Sequence, residues 1–266
     1  MGSIFSTSPW RLVVNLSAFA IMAFLLVPSL VVAWISFGDS NQIVFPPHGY
    51  SLTLFRRFFT EEGWVDATIL SFWVAVCSTA LATCLGIPAA YALARGKFPG
   101  RRLLALFLLS PMMLPSVVIA LSLYIYFFKL NVGQGMFKLV LAHTVVTLPF
   151  VIITAATGIR GIDPMLERAA IIMGASRLLV LRRITIPLLT PSIVAGGLFA
   201  FLISFDEVVI TWFIANAGYT TLPVKMFSSI QFEVSPVLAA ISTMLVGISV
   251  VVCVLVSLTQ GRSDRS

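Results

Sequence analysis

The stretch Asp163–Pro187, DPMLERAAIIMGASRLLVLRRITIP, decides how this chain is read. It is polar and carries arginines, lies between long apolar runs, and still has the punctuation of an ordered helix pair. Asp163 is a good N-cap, and Pro164 falls at the first helical position, where a missing N–H costs nothing. Winding Pro164 to Met173 at about 100° per residue gathers Met165, Leu166, Ala169, Ala170 and Met173 on one face. Gly174 lets the chain turn, and Ser176 can cap a second helix leading to Pro187. A generic helix lying on a membrane surface favours bulky residues over paired alanines. The pattern suits a segment gripped by a partner.

Working outward, the rest of the chain is built for a bilayer. Of its 266 residues, 59% are hydrophobic and 10% charged, and the mean hydropathy is +1.04. That excludes a soluble globular domain. About 20 apolar residues cross the hydrocarbon core, and by that rule roughly six spans are expected. They are Leu12–Phe37, Ala67–Ala94, Leu103–Phe128, Leu139–Ile159, Ser192–Ala215 and Pro236–Thr259. The fold class is therefore an all-α membrane protein, a single domain over residues 1–266. The first span is too long for a signal-peptide core and lacks a small-residue cleavage site, so retention is expected. Cys77, Cys84 and Cys253 fall inside spans and read as packing residues rather than as a disulfide framework or a metal site.

The net charge of +7 is explained by its distribution, not by affinity for nucleic acid. Arg11, Arg95, Lys97, Arg101, Arg102, Arg160, Arg168, Arg177, Arg182, Arg183, Arg262 and Arg265 flank the spans on one side. Arg56, Arg57, Lys129, Lys138 and Lys225 lie on the other. This asymmetry predicts cytoplasmic N and C termini and a cytoplasmic Asp163–Pro187 loop. The longest external segment, Gly38–Asp66, ends in an amphipathic pattern around Arg56 and Arg57, read as an outer-surface helix or a partner contact. Tyr219–Phe232 reads as an external loop with a short helix, and Glu233, Ser235 and Pro236 as a helix start.

Awkward residues inside the spans point to a pathway. Pro88, Pro111, Pro115 and Pro149 remove backbone hydrogen bonds and favour kinks. Gly196 and Gly197 favour close helix packing. His143 has two readings, a proton relay or a histidine hydrogen-bonded within the bundle. Asp206 and Glu207 lie past the middle of the fifth span, where ionisable groups face a bundle interior or a watery cavity. Their side chains point about 100° apart, so the two cannot share one direction. Phe205, Trp212 and Phe213 stand nearby, and carboxylates interleaved with aromatics suit an organic ammonium cation. The other reading is a pair satisfied by Lys225 or by protein amides.

The central stretch also carries a resemblance. It is similar to the cytoplasmic motif of the membrane subunits of binding-protein-dependent ABC importers: Glu-Ala-Ala, three residues, Gly, about nine residues, then Ile-x-Leu-Pro. Ala169, Ala170, Gly174, Ile184 and Pro187 match, with Ile186 where leucine is usual. The motif's glutamate position holds Arg168, and Glu167 stands one residue earlier. The resemblance implies a type I importer permease fold whose coupling helix, around Glu167, Arg168, Ala169, Ala170 and Gly174, docks in an ATPase cleft. The segments Ser204–Pro236 and His143–Ile152 narrow it to the second permease of spermidine/putrescine importers. That family implies a paired homologous permease, two ATPase subunits, a periplasmic substrate-binding protein, a polyamine substrate and a multi-pass place in the bacterial inner membrane. Related permeases take opines, aminophosphonates, ferric ion or thiamine.

No Walker A pattern occurs, so ATP and Mg are expected on the partner ATPase subunits, and this chain is expected to hold no cofactor and to be no enzyme itself. In the implied mechanism ATP binding moves the coupling helix, and the connection Ser176–Pro187 reorients the fifth span. A rival reading is an ion-coupled carrier using Asp206, Glu207 and His143. It calls for an internal inverted repeat, which the sequence does not display. A structural scaffold leaves the Asp163–Pro187 pattern unexplained.

Overall fold

The computed structural model describes residues 9–133, 135–215, 218–232 and 234–263, with side chains for residue 10 and residues 12–251 of these. In chain order the helices are α1 (Pro9–Ser36), α2 (Thr53–Thr60), α3 (Trp64–Arg95), α4 (Arg101–Leu109), α5 (Ser116–Lys129), α6 (Met136–Gly161), α7 (Pro164–Ile172), α8 (Arg177–Val180), α9 (Ile186–Phe205), α10 (Val209–Ile214), α11 (Leu222–Phe232) and α12 (Val237–Ser263). A 3-10 turn, Ser110–Met113, follows α4, and a π-helical turn, Leu181–Thr185, joins α8 to α9. Among the described residues there is no strand beyond one isolated bridge, Gly38 to Tyr50.

Two compact units form. One is Val65–Phe227; the other joins Met1–Trp64 to Ser228–Ser266. In the second, α1 and α12 pack together, and α2 turns Leu54 and Phe58 inward while Arg57 pairs with Glu61 at 2.6 Å. Ser235 Oγ accepts from the Val237 N–H at the start of α12. Glu233 and the side chain of Cys253 lie outside the described residues.

The Val65–Phe227 unit is organised around α6, because α6 is the most deeply buried of the long apolar helices. Its cores are layered along that axis. Val74, Phe127, Leu139 and Ile210 meet at one end; Ala90, Leu93, Ile152, Ile159 and Leu189 meet at the other. Along α6, small residues bring α6 and α9 close together. A Cβ on Gly158 would strike Ser192 and Leu189, and one on Gly196 would come within 2.9 Å of Thr154. Such close approach is how apolar helices associate without a solvent-driven force. Gly197 contributes little: its Cβ would only touch Thr79 at 3.8 Å.

Among the described residues, four helical stretches are long and apolar enough to cross a membrane: Leu12–Ile35, Trp64–Arg95, Met136–Gly161 and Arg177–Phe205. Two sequence-based boundaries move. The expected third span, Leu103–Phe128, is not one helix. Arg101–Met113 and Ser116–Lys129 meet at 108°, because Leu114 takes an extended conformation before Pro115, which cannot continue the helix. The expected fifth span, Ser192–Ala215, begins earlier and breaks at Phe205. Pro187 sits in the first turn of α9, where proline is tolerated, and Pro191 is accommodated inside it. The sixth falls on α12, Val237–Ser263, in which the described side chains run apolar over Val237–Val251. Helices α3 and α6 continue through Pro88 and Pro149.

Candidate functional site

The α7 end is built from the capping residues outward. The Asp163 carboxylate accepts from the Met165 N–H at 2.9 Å, and Ser176 Oγ from the Leu179 N–H at 3.3 Å. Between them Gly174 takes φ +93°, while the Ala175 N–H reaches back to the Ala170 carbonyl and closes the C-terminus of α7. A left-handed residue is needed here, which is what glycine supplies at least cost.

The neighbours Glu167 and Arg168 part company. Glu167 is only 7% exposed. Thr185, the last residue of the π-helical turn, donates to its Oε1 at 2.9 Å, and Arg95 at the end of α3 brings its Nε to 3.4 Å from Oε2. That second contact is an ion pair without hydrogen-bond alignment; the guanidinium instead spends its Nη2 on the Ile162 carbonyl, at 2.6 Å. Hydrogen bonds involving a charged group are each worth roughly 1.5–3 kcal/mol, so Glu167 fastens α7 to α3 and to the entry of α9. Arg168 is exposed, as are Met165, Leu166, Ala169, Ile172 and Met173, with Ile172 at 86%. Ala170 faces inward. The outward face is therefore apolar with one cation, a surface that lacks a partner within the described residues.

The other end lies about 30 Å away, the length of the twenty-residue α9 at 1.5 Å per residue. Asp206 caps α9, its N–H bonded to the Leu202 carbonyl, and Glu207 caps α10 by accepting from the Ile210 N–H at 3.0 Å. The break separates the two acids by function. The Glu207 carboxylate is satisfied by a backbone amide. The Asp206 carboxylate is exposed and has no ion-pair partner among the described residues. Phe205 stacks on Phe201, which meets Phe72, so an aromatic string ends beside Asp206. Trp212 meets Phe227 edge-on at 5.6 Å. It lies across the break on α10, so it does not share a helical face with Asp206 as an unbroken span would require.

Beneath the break is a buried polar network. His143 of α6 places Nδ1 2.8 Å from Ser204 Oγ and Nε2 2.9 Å from Thr211 Oγ1. Ser204 also meets Ser78 of α3 at 2.9 Å. One imidazole thus ties the last turn of α9 to α10. This is the bundle-bonded arrangement of His143, and its partners Ser78, Ser204 and Thr211 were missed as site residues, as were Arg95 and Thr185 at the α7 end. Ser204 and Thr211 flank the acidic pair, which is the only local sign of their role.

A family model described as "Binding-protein-dependent transport system inner membrane component" matches residues 82–265. The chain belongs to that family. It is a membrane permease subunit, placed in the inner membrane, of machinery that works with a binding protein and an ATPase. Among its relatives is the spermidine/putrescine transport system permease protein PotC of Haemophilus influenzae, 32% identical, with 94% of this chain and 97% of that protein covered. The putrescine transport system permease protein PotI of Escherichia coli K12 is 34% identical over 90% of this chain and 86% of that one. A Haloferax volcanii permease named for molybdenum transport is 33% identical over 72% and 74%. The fold matches a bacterial ABC transporter that imports alginate, with a TM-score of 0.72 at 15% identity, covering 97% of this chain and 99% of that one.

Proposed function

We propose that this permease carries a polyamine, putrescine or spermidine, inward as half of a translocation pathway completed by a second, homologous permease. The observation that carries the reading is near full-length similarity to two polyamine permeases, joined to an exposed carboxylate, Asp206, at a helix break lined by aromatics. A flexible diammonium or triamine offers positive charge to that carboxylate and methylene stems to the rings.

In this mechanism both termini and α7 lie in the cytoplasm, as the arginine-rich side predicts. Two ATPase subunits hold ATP and Mg, and each alternation of their dimer moves a docked coupling helix. Here the docked surface is the exposed face of α7, with Arg168 supplying a cation where an acid is usual. Glu167 then acts from within, transmitting the motion to α3 and, through Thr185, to α9. At the far end of α9 the His143 network carries the movement across the break, so Asp206 changes its access from one side to the other. A coupling element of this kind biases a two-state bundle and performs no chemistry.

The test is uptake of labelled putrescine and spermidine into proteoliposomes that hold this chain, its co-purifying subunits and the binding protein. Uptake requiring both ATP and binding protein is expected. ATP hydrolysis stimulated by binding protein without polyamine uptake discards the substrate and keeps the machine. Uptake driven by an ion gradient in the absence of ATPase overturns the reading.

A further inference from the structure

Where α4 begins and α6 ends, the two helices border an open groove of about 560 Å³, within the size range of small-ligand sites. Arg101, Arg102 and Arg160 line it, and no acidic side chain does. Arg101 donates to the Gly96 carbonyl at 3.2 Å; Arg102 and Arg160 have no ion-pair partner among the described residues. Cations in the first turn of α4 are also on the wrong end of the helix dipole, and no acid in that turn offsets them. The site therefore calls for an anion.

The walls say what kind. Because α4 and α6 run oppositely here, Leu109 on one and Ile152 on the other lie about 10–12 Å from the arginines along their helices, at 1.5 Å per residue. Those walls are apolar. A free anion has no use for them. We propose that this groove holds an anionic phospholipid, its phosphate between Arg102 and Arg160 and the start of an acyl chain against Leu109 and Ile152. The inference rests on the cytoplasmic orientation given above, which sets the groove at the leaflet whose anionic headgroups attract arginines. A lipid bound there braces the end of α6 from which the chain enters α7.

The experiment measures the unfolding midpoint of the full importer complex in nanodiscs of phosphatidylcholine, with and without phosphatidylglycerol. The anionic lipid should raise the wild-type midpoint by about 2–4 °C. Arg102→Gln/Arg160→Gln should lose that rise, while Arg182→Gln/Arg183→Gln, with the same charge change on the same side, should keep it. An equal rise in all three, or none in the wild type, overturns the site. Glycerol phosphate giving the same rise in phosphatidylcholine alone overturns the lipid in favour of a free phosphate. Should the double variant not assemble, Ala105→Trp fills the groove with the arginines retained and must also abolish the rise. Wild-type complex that co-purifies with no enrichment of anionic lipid would likewise reject it. These readings are independent of transport, so an absent polyamine flux and an absent lipid site are told apart.

Discussion

The two ends of α9 solve one problem in opposite chemical surroundings. At each, two charged neighbours in sequence are split: Glu167 buried and Arg168 exposed, Glu207 half-buried on a backbone amide and Asp206 exposed. One residue of each pair bonds a neighbouring element, and the other is exposed with no ion-pair partner among the described residues. They differ in what the bonded residue grips. Glu167 joins three separate elements through side chains, whereas Glu207 caps its own short helix. The first fastens separate elements together; the second is local.

That contrast ranks the expected effects of substitution. Glu167→Ala should do most, leaving Thr185 buried and Arg95 half-buried without the carboxylate they share, at about 3 kcal/mol. It should abolish stimulation of ATP hydrolysis by the binding protein, whereas Arg168→Ala shifts the unfolding midpoint little. Equal loss from both would erase the distinction between the two residues. Next is His143→Ala, which takes one buried partner from each of the Ser204 and Thr211 hydroxyls and leaves them Ser78 and the Glu207 carbonyl, at about 1–3 kcal/mol. Thermal unfolding of the complex should show it, with Thr211→Val costing less because Ser204 keeps its bond to the ring. Gly174→Ala follows. Space is open around it, so the cost comes from the positive φ alone, about 1–2 kcal/mol, and should appear as weaker coupling with normal insertion. Smallest of all should be Glu207→Gln, since the amide oxygen can still accept from the Ile210 N–H; a large loss of uptake there would make Glu207 a pathway residue.

Much of this was legible in the sequence because it is local. Asp163, Pro164, Gly174 and Ser176 behave as caps and turn residues within a few positions of themselves, and apolar run length locates the long helices. What escaped depends on distant partners. Nothing near Glu167 announces Arg95, and nothing near His143 announces Ser204 or Thr211, since those bonds join different helices. The break at Phe205 was hidden for a related reason. The run Ser192–Ala215 is apolar enough to read as one span, with the two acids facing the bundle interior rather than interrupting it. The bend at Leu114 had a local sign in Pro115, yet proline also passes unbroken through α3 and α6, so the residue alone does not distinguish the cases.

The central claim is that the outward carboxylate at the break meets the substrate while its neighbour holds the fold. The direct measurement is the KM for spermidine uptake by the reconstituted importer, with wild type, Asp206→Asn and Glu207→Gln compared at equal subunit assembly. Asp206→Asn should raise KM about tenfold, equivalent to about 1.4 kcal/mol of lost attraction, with Glu207→Gln near wild type. An unchanged KM in Asp206→Asn, or the reverse order of the two variants, would contradict the account.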